Sequence, residues 1–313
     1  MEINYPIVFV VVLNYNGFNE TDKCIQSLKS SDYKKLEIIV IDNYSTDDSF
    51  FKLKNRYPEL ISARCERNLG YAGGMNVGAK LAMENGANFI LLTNNDMTYS
   101  KNFLFPMVSL ALKDPQVGIV SPKVLYMHDK NSIYCAGGEF RLHLCGGVNM
   151  YQGKAALDFA NKIRAISLAE GSCLLIKKEV YEKVGMMNEK FFMYFEDLDF
   201  STRVRKHFKI MYTPESVVYH KTGGGLGWGD YTPLYYFYYT RNRLIFFANY
   251  NIFIKIYVML FTIANSFAKS IILVKILLFQ KQKKYKSGKA LKSLWNGTYV
   301  GIKIILGLEK LYD

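Results

Sequence analysis

The 313 residues are half hydrophobic and 21% charged, which excludes a disordered chain and suffices for one large α/β domain with an appendage, or for two domains. Five scattered cysteines (Cys24, Cys65, Cys135, Cys145, Cys173) with no Cys-x-x-Cys exclude a disulfide framework and a cysteine-based structural zinc site. The net charge of +13 is unevenly placed: from Arg241 onward 13 Lys/Arg face two acids, whereas the first 240 residues sum to +2, so the tail calls for an anionic partner.

The amino-terminal MEINYPIVFVVVLNYNG has no basic leader and no small-residue cleavage site, so no signal peptide is expected. Ile7–Leu13 is an unbroken apolar run, as in a strand buried on both faces of a parallel sheet. Asn19 is positioned to cap a helix with Cys24, Ile25 and Leu28 on its apolar side. Glu37–Ile41 reads as a second strand. Ser45 and Asp48 then have capping-box spacing ahead of a helix bearing Phe50, Phe51 and Leu53. A third strand near Ile61–Cys65 leads through a glycine-rich turn to a helix ending about Asn85. Asn88–Thr93 and Gly118–Lys123 are the fourth and fifth strands. Strands alternating with helices predict a doubly wound α/β domain, whose ligands collect at the carboxyl ends of the strands.

Polar clusters fall at just those ends. Asn14 and Asn16 follow strand one; Asp42, Asn43, Ser45 and Asp47 follow strand two; Arg67, Asn68 and Gly70 follow strand three; Asn94, Asn95 and Asp96 follow strand four. Helix capping explains Ser45 and Asp47 equally well. Farther on, Ile163–Ser167 and Ser172–Ile176 read as strands, Glu179–Val184 as a helix stopped by Gly185, and Ile210–Thr213 and Val217–His220 as two short strands. The segment FFMYFEDLDF (191–200) sets Glu196, Asp197 and Asp199 among five aromatics. Asp199 can pair with Arg203 along a helix, while Glu196 and Asp197 either favour that helix's amino end electrostatically or serve as a base and its neighbour.

The ordered set VVLNYNG, IDNYSTDDS, RNLGYAGGMNVG, TNND, EGSCLLIKKEVYEKVG and FFMYFEDLDFSTRVRK resembles family 2 glycosyltransferases of the GT-A fold, and most closely their rhamnosyltransferase-type branch. The resemblance covers about residues 7–245. It implies a Rossmann-like, mostly parallel sheet flanked by helices in residues 1–240, followed by a basic helical region in 241–313. By the same resemblance Asp42 would bond the donor's pyrimidine base, with Asn14 and Asn16 nearby, and Asn68, Gly70 and the segment to Asn76 would flank nucleotide and sugar. TNND stands where the family carries its Asp-x-Asp metal motif; Asn94 replaces the first acid, so Asn95 lies beside a lone acidic ligand, Asp96, and His220 completes the set for Mg2+ or Mn2+. Asp197 would be the catalytic base and Glu196 its support.

The expected reaction is inverting transfer from a nucleotide-diphosphate sugar, dTDP-rhamnose or a UDP-sugar, to a hydroxyl of a polysaccharide or lipid-linked saccharide. TGGGLGWGD (222–230) reads as a lid or as a plain glycine-rich loop, and Arg241 and Arg243 as phosphate ligands. The longest uncharged run of the tail, Ile256–Ala268, has 13 residues, short of the roughly 20 that a span needs. Lys255, Thr262, Asn265, Ser266, Lys269 and Ser270 fall on one helical face, with apolar residues elsewhere. That profile, with lysines 281, 283, 284, 286, 289 and 292 behind it, predicts peripheral binding to the anionic inner face of the cell membrane, or packing against the domain or another subunit. No recognition fold accompanies the charge, so no nucleic-acid partner is expected. The rival readings are a sugar nucleotidyltransferase, disfavoured because NYNGFNE holds one glycine and an acid where a triphosphate loop belongs, and an inactive membrane-binding scaffold of the same fold.

Overall fold

The computed structural model describes residues 5–156, 160–221, 232–279 and 284–309. The chain divides into two compact units: Met1–Phe140, Gly147–Glu189 and Asp197–Thr222 form the first, and Arg141–Gly146, Lys190–Glu196 and Gly223–Asp313 the second. The second unit thus takes in two short stretches from earlier in the chain besides its carboxyl-terminal part.

In the first unit β1 (Val8–Asn14), α1 (Phe18–Lys29), β2 (Leu36–Asp42), α2 (Ser49–Arg56), β3 (Ile61–Arg64), α3 (Gly70–Glu84) and β4 (Phe89–Asn94) alternate as expected. There follow β5 (Met97–Tyr99), α4 (Leu104–Lys113), β6 (Val117–Tyr126), β7 (Ile133–Ala136), a hairpin of β8 (Gly138–Arg141) and β9 (Gly146–Asn149), β10 (Arg164–Ala165), β11 (Cys173–Lys177), α5 (Lys178–Val184), α6 (Glu196–Val204) and β12 (Lys209–His220). The main sheet runs β10-β12-β6-β11-β4-β1-β2-β3, with β5 on β12 and β7 on β6. It is mixed: β4-β1-β2-β3 are parallel and β6 is parallel to β12, whereas β11 runs against both β4 and β6.

The apolar run of β1 is continuous because both faces of the strand are buried. Phe9 and Val11 pack in a core with Met75, Ala79 and Ala82 of α3, and Val8, Val10 and Val12 in another with Cys24, Ile25 and Leu28 of α1. Each such side chain contributes about 1.5–3 kcal/mol on burial. The glycines of RNLGYAGGMNVG set the depth of α3 on the sheet: a Cβ at Gly74 would lie 2.4 Å from Leu13 Cδ1, and one at Gly78 2.2 Å from Val11 Cγ1. All five cysteines are free and buried.

Three local expectations are corrected. The α1 helix begins at Phe18 after Gly17, so Asn19 lies inside the helix rather than capping it. The Ser45 hydroxyl is committed to the site below instead of a capping box; Asp47 accepts from the Ser49 amide, and Asp48 makes no side-chain cap bond. The two short strands at 210–220 are one, β12, whose register shifts between Thr213 and Val217. Pro214 lacks a ladder donor, which explains the irregularity without ending the strand.

The second unit holds α7 (Pro233–Phe246), α8 (Ile252–Phe279) and α9 (Lys284–Ile305). Thr232 caps α7 by accepting from the Tyr235 amide, with Pro233 in the first turn. The polar stripe expected on α8 exists but faces inward: Thr262, Ser266 and Lys269 are buried with Val258 and Leu273. Ser266 and Thr298 share a 2.9 Å hydroxyl bond, Trp295 Nε1 donates to Ser270 Oγ, and the Lys269 ammonium lies over the rings of Tyr235, Tyr236 and Tyr239. The outward face is apolar, with Phe253, Leu260, Phe267, Ile271, Leu278 and Phe279 exposed. By length and composition α8 is also long and apolar enough to cross a membrane, because the helix continues well past the uncharged run counted from the sequence.

Candidate active site

Parallel register places the polar ends of the strands in one row. Asn14 lies opposite Asp42, Asp42 opposite Arg64, and Leu13 opposite Asn94. Asn14 Nδ2 donates to Asp42 Oδ1 (2.8 Å), Ser45 Oγ and Ser49 Oγ, and its own oxygen accepts from Thr21 Oγ1. Asp42 is wholly buried, accepting further from the Ser45 amide and hydroxyl, with Arg64 Nε at 3.4 Å. These bonds fix the orientation of the Asp42 carboxylate at the end of β2. Asn16 has a left-handed backbone (φ 51°), which Asn tolerates, and its side chain binds the Thr46 and Asp47 amides. Tyr15 and Tyr44 beside this row are half exposed, and the Arg64 guanidinium lies over the Tyr44 ring.

Asn68 accepts from Asn43 and from the Gly70 amide, tying the turn before α3 to the end of β2. Asn76 does not belong to this edge. It is 2% exposed and is bound to Met187 through both its carbonyl and its amide, and to Glu189, so it fastens α3 to the segment after α5. Asn95 Nδ2 donates to Thr21 Oγ1 (2.9 Å).

Asp96 and His220 do meet. Asp96 Oδ1 lies 3.1 Å from His220 Nε2, and β12 delivers His220 opposite Met97, one residue from Asp96. Burial pulls the imidazole down, but the hydrogen bond and charge of Asp96, with the charge of Glu170, outweigh it and hold its pKa above the usual value. The buried Nδ1 lacks a hydrogen-bond partner among the described residues, and Tyr134 stands edge-on to the ring. A carboxylate oxygen and an imidazole nitrogen this close together fit a hard divalent cation that takes its remaining ligands from a diphosphate and water. Among the described residues no third acid, His or Cys stands within reach to close a protein-only metal cage.

Asp197, in the first turn of α6, is linked to that pair through a short chain of bonds. Its Oδ2 accepts from the Gly171 amide (3.1 Å) and its Oδ1 from its neighbour Leu198 (2.7 Å). Next to Gly171, the Ser172 carbonyl accepts from the Asn94 amide (3.1 Å), two residues before Asp96. Burial, and then the charge of Glu170, push the Asp197 carboxyl up to about 7 against the pull of the two amides. Asp199 pairs with Arg203 at 2.8 Å as expected, and Arg203 also donates to the Val184 and Met186 carbonyls.

In the second unit, Arg241 is engaged by the protein itself. Its guanidinium donates to the Lys190 and Phe191 carbonyls and lies over Tyr238, while Arg243 donates to the Cys145 carbonyl. Glu196 is 6% exposed at the start of α6. The residue between the arginines, missed in the sequence, holds the turn that precedes Glu196: Asn242 Nδ2 donates to the carbonyls of Phe191 (2.7 Å), Met193 (2.9 Å) and Tyr194 (2.8 Å). Phe192, Tyr194 and Phe195 there have left-handed backbones, φ 63°, 66° and 73°. Arg64 and Glu170 were also missed. Arg64 is signalled by its place on the row of Asp42, and Glu170 by EGSC ahead of β11. The loop at 222–230 lies outside the described residues.

The family model of Glycosyl transferase family 2 matches residues 9–185, more than half of the chain. The chain is 25% identical over 201 residues to the low-salt glycan biosynthesis hexosyltransferase Agl10 of Haloferax volcanii, covering 63% of this chain and 61% of that protein. It is 23% identical over 240 residues to the N-acetylglucosaminyl-diphospho-decaprenol L-rhamnosyltransferase of Mycobacterium tuberculosis, covering 70% of this chain and 77% of that protein. Among solved structures, the mannosyltransferase PcManGT of Pyrobaculum calidifontis, in complex with GDP-Man and Mn2+, superposes with a TM-score of 0.56 at 16% identity, over 98% of this chain and 89% of that one. At that identity the likeness speaks to the fold, which is GT-A.

Proposed function

The chain belongs to glycosyl transferase family 2, on its rhamnosyltransferase-like side, and from that premise we propose that it moves a sugar, with inversion, from a nucleotide-diphosphate donor to a saccharide hydroxyl. The donor proposed first is dTDP-rhamnose and second a UDP-sugar; the acceptor is a polysaccharide or a lipid-linked saccharide. The observation that carries the reading is the continuous link from Asp197 through Gly171–Ser172 to Asn94–Asp96 and on to His220. It joins a carboxyl raised to about 7 to the Asp96–His220 pair, which in this reading holds the cation.

In this reading the acceptor oxygen attacks the anomeric carbon as Asp197 takes its proton, and the nucleoside diphosphate leaves with the bonding electrons. Attack opposite the leaving group inverts the configuration. Mg2+ or Mn2+, when bound, would neutralise the diphosphate, and Asp96 and His220 are the residues that would hold it. Asp42 acts through Asn14, Ser45 and Arg64 to shape the nucleotide edge, and Glu196 steadies the start of α6. A glycosidase would instead need two carboxyls flanking the bond and no nucleotide edge.

A thermal-shift panel of nucleotide sugars, with and without Mn2+, tests the reading. dTDP-rhamnose is expected to raise the melting temperature more with the cation than without, since a ligand bound only by the folded state stabilises it by mass action. Asp96→Ala is expected to abolish the cation-dependent part. A panel in which no nucleotide sugar shifts the melting temperature would overturn the proposal, and release of diphosphate from a nucleoside triphosphate and a sugar phosphate would replace it with nucleotidyl transfer.

The exposed apolar face of α8 and the lysines of α9, among them Lys286, Lys289 and Lys292, support a peripheral place on an anionic cytoplasmic membrane surface. The protein is expected to sediment with vesicles containing phosphatidylglycerol at low salt and to be partly released by 0.5 M salt, retaining the apolar contribution. Equal recovery in the supernatant with and without vesicles would refute the membrane assignment.

A further inference from the structure

Glu170 has no part in the chemistry described so far, yet it stands against the residues that do. Its Oε2 accepts from the Ser172 amide (3.2 Å) and, closely, from the Ser172 hydroxyl. The turn it opens is pinned on three further sides. Tyr71 donates its hydroxyl to the Gly171 carbonyl, Asn94 and Thr93 donate to the Ser172 carbonyl, and the Gly171 amide donates to Asp197. Packing there is close: a Cβ at Gly171 would lie 3.7 Å from Asp197 Cβ and 3.6 Å from the Tyr71 ring. A carboxylate fixed by its own turn is thus held beside another whose burial already disfavours charge.

We propose that Glu170 is a positioning residue for Asp197, a clamped negative charge that makes Asp197 a stronger base than burial alone would. The inference rests on the reading of Asp197 as the base for its consequence, but not for its measurement. Glu170 is the principal charge acting on Asp197 after burial, and its field is also felt at Tyr134, Cys135, Cys173 and His220. Cys135 of β7 also feels the Asp197 charge, its thiol kept neutral by burial, while Tyr71 of α3 lies against Gly171, and Glu196 and Asp199 share the helix of Asp197. Asp199 is turned to Arg203. Glu170 is therefore the group whose neutralisation changes Asp197 most.

The functional meaning is a trade. A base of higher affinity for protons pulls harder on an acceptor hydroxyl, at the cost of being already protonated in mildly acidic medium. Glu170 sets where that trade is struck.

The test needs no substrate. An acid whose folded pKa is raised loses the protein stability as pH climbs from its unfolded value, about 3.9, to its folded one. The melting-temperature difference between Asp197→Asn and wild type therefore follows the ionisation of Asp197, growing with pH and levelling off near its folded pKa. The same difference is then measured with Glu170→Gln in both members of the pair. Levelling off about one pH unit lower, or more, is the expected result, with Glu170→Asp, which keeps the charge, remaining with wild type. Superimposable curves with and without Glu170 would overturn the proposal. Ser172→Ala, which keeps Glu170 but removes one of its two donors, is expected to move the curve the same way by less, and it provides the reading should the Gln variants not fold. Whether Asp197 is the catalytic base is read separately, from transfer by Asp197→Asn, so the two ideas fail independently.

Discussion

Asp197→Asn is expected to lower sugar transfer by about 10²- to 10⁴-fold, the usual scale for a positioned general base, while leaving donor affinity within about twofold. The substitution is isosteric and keeps an oxygen to accept from the Gly171 or Leu198 amide, so the turn around it persists. What it removes is the site that receives the acceptor's proton. The same variant separates chemistry from stability. Because burial and Glu170 raise the Asp197 carboxyl to about 7, its ionised form is disfavoured in the fold. Wild type therefore loses stability between roughly pH 4, where the unfolded group ionises, and pH 7. At pH 8 the Asn variant is expected to melt at a higher temperature than wild type, and near pH 4 at the same one. Wild-type kcat/KM is expected to rise as pH passes through about 7, as the base loses its proton. Transfer by the variant at a rate near that of wild type would dismiss Asp197 as the base, and a lower melting temperature at pH 8 would dismiss the buried-charge account.

The α/β half of the molecule is legible in sequence because its elements are periodic and bounded by local signals. β1 reads as buried on both faces since nothing polar interrupts Val8–Val12, and the structure places alternate residues in two separate cores. The polar clusters at strand ends were visible for the same reason, and parallel register then aligns Asn14, Asp42 and Arg64. What sequence does not contain is the direction in which a side chain is spent. Asp42 and Asn76 carry the right chemistry at the right spacing, but one is wholly buried in a hydrogen-bond network and the other fastens α3 to residues 187–189. Glu170 is signalled only by EGSC ahead of β11, which says nothing of Asp197; only folding brings the turn it opens against that residue. On α8 the helical stripe was correctly located, yet its inward orientation depends on hydroxyl partners in α9 that no periodicity reveals.

Asn242 shows the same point with the second large consequence. Its amide donates three bonds to a turn in which Phe192, Tyr194 and Phe195 are all left-handed, a conformation costing bulky residues about 1–3 kcal/mol each unless the surroundings enforce it. Arg241 supports the amide by donating to Asn242 Oδ1 (2.9 Å) and adds its own bonds to the Lys190 and Phe191 carbonyls. The turn runs directly into Glu196 and Asp197. Asn242→Ala is expected to destabilise the second unit by about 3–5 kcal/mol, from the loss of three hydrogen bonds to the turn and strain left without restraint. Transfer is expected to fall by about 10²-fold even below the melting transition, the scale on which a misplacement of about 1 Å lowers a rate. Asn242→Asp separates the causes, since it keeps the volume but replaces the donor by an acceptor facing three carbonyl oxygens. It is expected to be as damaging as Ala in both denaturation and turnover. An Asp variant with wild-type stability would mean that packing, rather than those three hydrogen bonds, holds the turn.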